Sequence, residues 1–247
     1  MHHLIFLLIP IKCSISIPVK FFTILRICGY AGTVLLLFLS CSSPVTTPPH
    51  PFSFLSLGDS YTLGESVPER DRWSVQLAGM LRTSGLYLSD PDIIARTGWT
   101  TDELQAAICT DGNTKNYEHV SLLIGVNNQY RGQSTEKYRT EFRQLLQTAT
   151  DFANGKANRV FVLSIPDWGR SPFARGRDKE QIAKDIDTFN AVAQEECKKA
   201  EVVFIDITPF SRAAEGDASQ FTDDELHYSA KQMKQWAEKA LPVVKGL

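Results

Sequence analysis

Several things are scarce or missing in this sequence, and each shortage removes a class of function. No glycine-rich phosphate loop follows any strand-like run, so a nucleotide-binding reading has no support. No stripe of lysine and arginine stands out, which argues against nucleic acid as a partner. No internal repeat is visible. Cysteine is rare: there are five, and Cys13, Cys28 and Cys41 fall near the start. The other two, Cys109 and Cys197, show no metal-type spacing. They can pair in an oxidising compartment or serve equally well as buried free thiols. No metal ion or other cofactor is called for. Acidic residues are absent from the first 40 positions, which hold Lys12, Lys20 and Arg26. That stretch takes three of the 26 basic residues and none of the 28 acidic ones, leaving the remainder near −5.

What the first 40 residues do contain is apolar. The run from Ala31 to Ser40 follows Lys20 and Arg26 and ends at Cys41. A positive segment, an apolar segment and a small residue read together as an export signal. Phe38-Leu39-Ser40-Cys41 resembles a bacterial lipoprotein signal, with Cys41 as the lipidated position and Phe38 where leucine is usual. The rival reading is an uncleaved anchor, since residues 21–40 are almost long enough to span a bilayer. Either way the remainder lies outside the cytoplasm, in the periplasm or at the cell surface, attached to a membrane. Residues 42–51 are rich in proline and hydroxyls and read as an extended tether. The expected organisation is therefore a targeting segment (1–40), a lipid-anchored tether (41–51) and one domain (52–247).

Within the domain, short apolar runs alternate with helical patterns. Runs near 52–57, 92–98, 119–125, 159–165 and 202–207 are strand-length. Between them, residues spaced by three and four predict helices over 72–84, 134–153 and 229–244. Two further helices are expected, one capped by Thr100 or Thr101 and one carrying Ile182, Ile186 and Phe189 inward. Residues 126–132 and 208–223 read as loops. This alternation means an α/β domain, a parallel sheet with helices on both faces.

Parallel sheets collect chemistry where their strands end. The first strand ends in Gly58-Asp59-Ser60, and glycine there allows a sharp turn. Ser60 is the candidate nucleophile; its plainer role is a cap on the next helix. The second strand ends at Gly98, which offers a backbone N–H. The third ends before Asn127, which offers a side-chain amide. Asp224-Glu-Leu-His227 precedes the last helix. A serine hydroxyl needs an adjacent base, and an imidazole oriented by a carboxylate is suited to that task. The N–H groups of Ser60 and Gly98 and the amide of Asn127 would form an oxyanion hole. Asp59 is expected to brace its loop by accepting backbone N–H bonds, and His119 to be structural.

Four motifs now stand in order: Gly58-Asp59-Ser60, Thr97-Gly98-Trp99-Thr100-Thr101, Gly125-Val126-Asn127 and Asp224-Glu-Leu-His227. Together they resemble the SGNH, or GDSL-type, serine hydrolases, over nearly the whole domain. The resemblance implies a flavodoxin-like three-layer α/β/α sandwich with a five-stranded parallel sheet. It also implies Ser60 as nucleophile, Asp224 and His227 as the rest of a triad, and Gly98 and Asn127 as oxyanion donors. Many members carry aspartate where this chain has Asn128, which puts one structural hydrogen bond in question.

The activity that follows is hydrolysis of a carboxylic ester through an acyl-enzyme. Short loops with no lid or long apolar tunnel favour short acyl groups, with a glycan as carrier. Trp99, Asn128, Tyr130 and Trp168 are candidate pocket residues, the aromatic ones either stacking on sugar rings or packing at the rim. A lysophospholipase or lipase is the alternative, and a non-catalytic binding lipoprotein on the same scaffold is another. An α/β-hydrolase is disfavoured because no Gly-x-Ser-x-Gly elbow surrounds Ser60.

Overall fold

The computed structural model describes residues 51–247. The expected export segment, Cys41 and the tether up to His50 lie outside the described residues. Among the described residues no helix is long and apolar enough to cross a membrane.

Thirteen principal elements follow one another: β1 (Phe54–Gly58), α1 (Ser60–Leu63), α2 (Trp73–Thr83), β2 (Asp92–Ala95), α3 (Thr101–Asp111), β3 (His119–Leu123), α4 (Val126–Tyr130), α5 (Thr135–Phe152), β4 (Val160–Leu163), α6 (Lys179–Lys199), β5 (Val203–Ile205), α7 (Thr208–Ala213) and α8 (Ala230–Val244). The five strands pair in parallel in the order β2-β1-β3-β4-β5. The chain moves from β1 outward to β2, then returns to place β3 on the other side of β1. Such a reversal opens a crevice between the carboxyl ends of β1 and β3.

β1, β3 and β4 are buried along their whole length. That is why they read as mostly apolar runs rather than alternating ones, the buried Ser56 and Ser121 hydrogen-bonding each other at 2.8 Å. Helices cover the sheet in two sets: α2 packs with α8, while α3, α5 and α6 pack together. This is the three-layer α/β arrangement the pattern predicted. α8 shows the physical logic: Met233, Trp236, Ala237, Ala240 and Val244 are buried at helical spacing. Burying one large apolar side chain contributes roughly 1.5–3 kcal/mol.

Two segments expected to be loops are helical. Val126–Tyr130 forms α4 and Thr208–Ala213 forms α7. Each is too short to show a periodic apolar face, so tertiary contacts decide its state. For α7 those contacts are hydrogen bonds: the Thr208 N–H donates to Ser164 Oγ at 3.1 Å, and Asn190 Nδ2 donates to Thr208 Oγ1 at 2.9 Å. The two cysteines are free, Cys109 exposed and Cys197 buried, so the pairing option is removed.

Candidate active site

Gly58 closes β1 beside the end of β3. A Cβ there would collide with the Leu123 carbonyl oxygen and the Thr62 hydroxyl. Close approach of two strands, not a left-handed turn, is what demands glycine at this point. The next residue, Asp59, caps α1 by accepting the Tyr61 N–H on Oδ1 at 3.0 Å. Its other oxygen, Oδ2, is buried without a partner. Burial pushes the Asp59 carboxyl up to about 7, against the opposing pull of the Tyr61 N–H. Asp59 therefore braces the loop as expected. Ser60 opens α1, where the first backbone N–H groups of a helix have no internal acceptor.

A cleft of about 170 Å³ lies at the carboxyl edge of the sheet. Ser60, Gly98, Asn127 and His227 all line it, with Tyr61, Thr97, Val126, Tyr130, Trp168, Phe173 and Leu226. Residues from four distant stretches thus meet in one place. Tyr61 ties the first of them to the last: its ring meets the His227 imidazole edge-on, centroids 5.7 Å apart, and meets Trp236 of α8 at 6.0 Å. Ser60 and the imidazole are two walls of one cleft, and no hydrogen bond joins them in this structure. Such contacts are commonly longer without substrate than with it.

His227 is held by Asp224. Its Nδ1 lies 2.7 Å from Asp224 Oδ2, and its N–H donates to Asp224 Oδ1 at 2.8 Å. Asp224 Oδ1 also accepts the Leu226 N–H at 2.9 Å and the Thr222 hydroxyl at 2.8 Å. Burial alone would raise the Asp224 carboxyl. The donors from His227, Leu226 and Thr222 outweigh it and hold the group well below the usual carboxylate range. An ionised carboxylate only accepts, so Nδ1 carries a proton, and in the neutral form of the ring the lone pair falls on Nε2.

Ser66, which the sequence reading did not single out, completes this arrangement. Its hydroxyl donates to Asp224 Oδ2 at 3.0 Å, the same oxygen that takes Nδ1. Ser66 does so from a left-handed backbone, φ 64°. A non-glycine residue there costs about 1 kcal/mol or more, and such strain clusters at functional sites. Nothing in a lone serine within a polar loop signals this.

Gly98 has φ +88°, a conformation that favours glycine, and Arg131 Nη2 donates to its carbonyl at 2.6 Å. Its own N–H finds no acceptor among the described residues, nor does that of Ser60. Asn127 spends one amide hydrogen on the Trp99 carbonyl at 3.0 Å. An amide carries two, so one remains for the cleft.

Two candidate pocket residues fall elsewhere. Asn128 is wholly buried: its Oδ1 accepts the Thr101 N–H at 3.2 Å, and its Nδ2 donates to Thr101 Oγ1 at 2.7 Å and Gln133 Oε1 at 2.9 Å. It ties α3 to α4 and the turn after it, and does not line the cleft. Trp99 packs its ring against the core and gives the site only its carbonyl. Tyr130 and Trp168 do line the cleft, with ring centroids 5.2 Å apart. Trp168 is 4% exposed and donates its indole N–H to Gln129 Oε1 at 2.8 Å. Phe173, not anticipated, extends this wall at 6.2 Å from Trp168.

His119 is removed from contention as a base. It begins β3, at the end of the strand away from the cleft, and both ring nitrogens are buried without partners. Burial lowers its pKa to about 4. Among the described residues no cluster of His, Cys, Asp and Glu could hold a metal ion.

The model of the GDSL-like lipase/acylhydrolase family matches residues 56–235. No curated protein matches the chain. Solved structures do. TesA is 17% identical, with TM-score 0.62, covering 78% of this chain and 98% of its own. The psychrotrophic esterase EstA from Pseudoalteromonas sp., inhibited by monoethylphosphonate, is 13% identical with TM-score 0.62, covering 78% and 97%. Axe2, an acetylxylan esterase from Geobacillus stearothermophilus, is 15% identical with TM-score 0.60, covering 78% and 94%. At these identities the likeness is one of fold.

Proposed function

We propose that this chain, which belongs to the GDSL-like lipase/acylhydrolase family, hydrolyses short-chain carboxylic esters through a covalent acyl-enzyme on Ser60. As the Ser60 hydroxyl attacks the ester carbonyl, His227 Nε2 takes its proton. The carbonyl oxygen becomes an oxyanion and is met by the N–H groups of Ser60 and Gly98 and the free amide hydrogen of Asn127. The intermediate collapses, His227 gives the proton to the departing alkoxide, and the alcohol leaves. Water then attacks the acyl group with the same base and the same donors, releasing acid and free Ser60. Asp224 fixes the imidazole throughout and stabilises it when protonated.

The observation that carries this reading is the convergence of Ser60, Gly98, Asn127 and His227 on one cleft. Its volume, about 170 Å³, is below that of pockets built for drug-sized ligands and suits a short acyl group. The aromatic wall of Tyr130, Trp168 and Phe173 suits a sugar ring, which makes an acetylated carbohydrate the favoured carrier. The fold shared with the acetylxylan esterase Axe2 is in keeping with this.

The test is hydrolysis of p-nitrophenyl acetate, butyrate and decanoate by the purified protein. Acetate and butyrate should turn over well and decanoate poorly. Ser60→Ala should lower kcat about 10⁴-fold or more. Equal rates on decanoate would overturn the short-acyl assignment, and an active Ser60→Ala variant would overturn the mechanism.

The same reading places the enzyme outside the cytoplasm, lipidated at Cys41 and held to a membrane through residues 41–51. The support is the sequence of Lys20, Arg26, an apolar run and Cys41. Cells fed an alkyne fatty acid should label the protein, and Cys41→Ser should abolish the label. Full labelling of Cys41→Ser would contradict the anchor.

A further inference from the structure

We infer that Arg177 makes the cleft select esters bearing a second, anionic group, a carboxylate or phosphate near the scissile bond. This rests on the ester-hydrolase reading above and goes beyond it. Arg177 lies in the exposed segment just before α6. Its guanidinium carbon is 5.4 Å from the ring centroid of Phe173, 5.5 Å from Trp168 and 5.7 Å from Tyr130. All three rings line the cleft that holds Ser60 and His227. A cation within about 6 Å of an aromatic centroid is attracted to it. Three rings together hold this one beside the aromatic wall of the cleft.

The charge held there is not neutralised. Nearby cations have partners: Arg170 pairs with Glu180 and Glu215, Lys179 with Glu215, Arg212 with Asp167 and Asp187, and Arg131 with Glu103. The Arg177 guanidinium forms no ion pair or hydrogen bond among the described residues; only its backbone N–H is engaged, donating to the Ala174 carbonyl at 3.0 Å. The next residue, Asp178, spends its carboxylate on the Gln181 N–H as the cap of α6, at 3.0 Å. Glu225 joins the same wall through its carbonyl, which accepts the Phe173 N–H at 3.0 Å, and its carboxylate does not pair with Arg177. Arg175 is also without an ion pair, but it lines a different depression, with Lys179 and Glu215.

Cation–π attraction draws on the charge of a guanidinium and gives none of its N–H groups an oxygen acceptor. Its five N–H donors lie in the plane and keep the forked geometry that fits carboxylate and phosphate. A residue needed only to cover an apolar cleft has no use for that fork. An ester whose acyl or alcohol part carries an oxyanion would lay its apolar body on the rings and its charge on Arg177.

The experiment compares matched esters with the purified full-length protein. Mono-p-nitrophenyl succinate against p-nitrophenyl butyrate puts the charge on the acyl side. The acetate ester of 4-hydroxybenzoate against that of its methyl ester puts it on the leaving group. Butyryl glycerol 3-phosphate against butyryl glycerol substitutes phosphate for carboxylate. In at least one pair, Arg177→Gln should lower the anionic-to-neutral ratio of kcat/KM about five- to tenfold. Arg177→Glu should lower it further, Arg177→Lys should restore part of it, and added salt should shrink the wild-type preference. The responding pair identifies the position and kind of anion. A ratio unmoved by Arg177→Gln in every pair would overturn the proposal while leaving the esterase intact. Failure of wild-type protein to cleave any of the six esters would instead sink the ester-hydrolase reading.

Discussion

The loop after β1 and the loop before α8 each bring an aspartate to the same sheet edge, and their surroundings drive the two carboxyls in opposite directions. Asp59 is fully buried, accepts the Tyr61 N–H on one oxygen and leaves the other without a partner. Burial wins, and its carboxyl moves up to about 7. Asp224 is more exposed, and it accepts from Thr222, Leu226, Ser66 and both the backbone and the ring of His227. There the donors win, and it is held below the usual range. Donor count, rather than distance from the nucleophile, separates a carboxyl that stiffens a loop from one that orients a base.

The sharpest way to break this contrast is to remove the charge from each carboxyl in turn. Asp224→Asn should lower kcat about 10³- to 10⁴-fold, because the amide cannot impose the same tautomer on His227. Ester hydrolysis under saturating substrate measures this, and a loss below tenfold would deny Asp224 its role.

Asp59→Asn should act on stability instead. The folded state keeps a proton that the unfolded chain loses near pH 4. Asp59 therefore favours folding fully below about pH 4, and this contribution is lost as pH rises to about 7. The wild type should accordingly lose up to about 4 kcal/mol relative to Asp59→Asn across that window, with no further change above it. Urea unfolding of both proteins at pH 5, 7 and 8 shows the slope, and parallel profiles would contradict the assignment.

The smallest expected effect is at Ser66. Removing its hydroxyl deletes one of two donors on Asp224 Oδ2. Ser66→Ala should reduce kcat about three- to tenfold with KM unchanged. Equal changes in kcat and KM would instead indicate disturbed substrate binding.

These two aspartates also mark what could be read from the sequence and what could not. Ser60, Gly98, Asn127 and His227 were legible because each follows a strand or precedes the last helix, and parallel strands deliver such positions to one edge. β1, β3 and β4 were legible as short, mostly apolar runs. α4 and α7 were not, since five or six residues show no periodic face. Asn128 looked like a pocket residue beside Asn127, yet its environment is set by Thr101 and Gln133, which only the folded chain brings near. Trp99 was misplaced for the same reason: position in a loop does not say which way an indole turns. Ser66 and Arg177 were invisible because their meaning lies in a backbone angle and in three rings drawn from two segments.

Labelling with a fluorophosphonate, which bonds only to an activated serine, tests the centre of the account most directly. Wild-type protein should take up one label, located on Ser60 by peptide mass spectrometry, and His227→Ala should slow the reaction by orders of magnitude. Labelling at another residue, or unchanged labelling of Ser60 in His227→Ala, would contradict it.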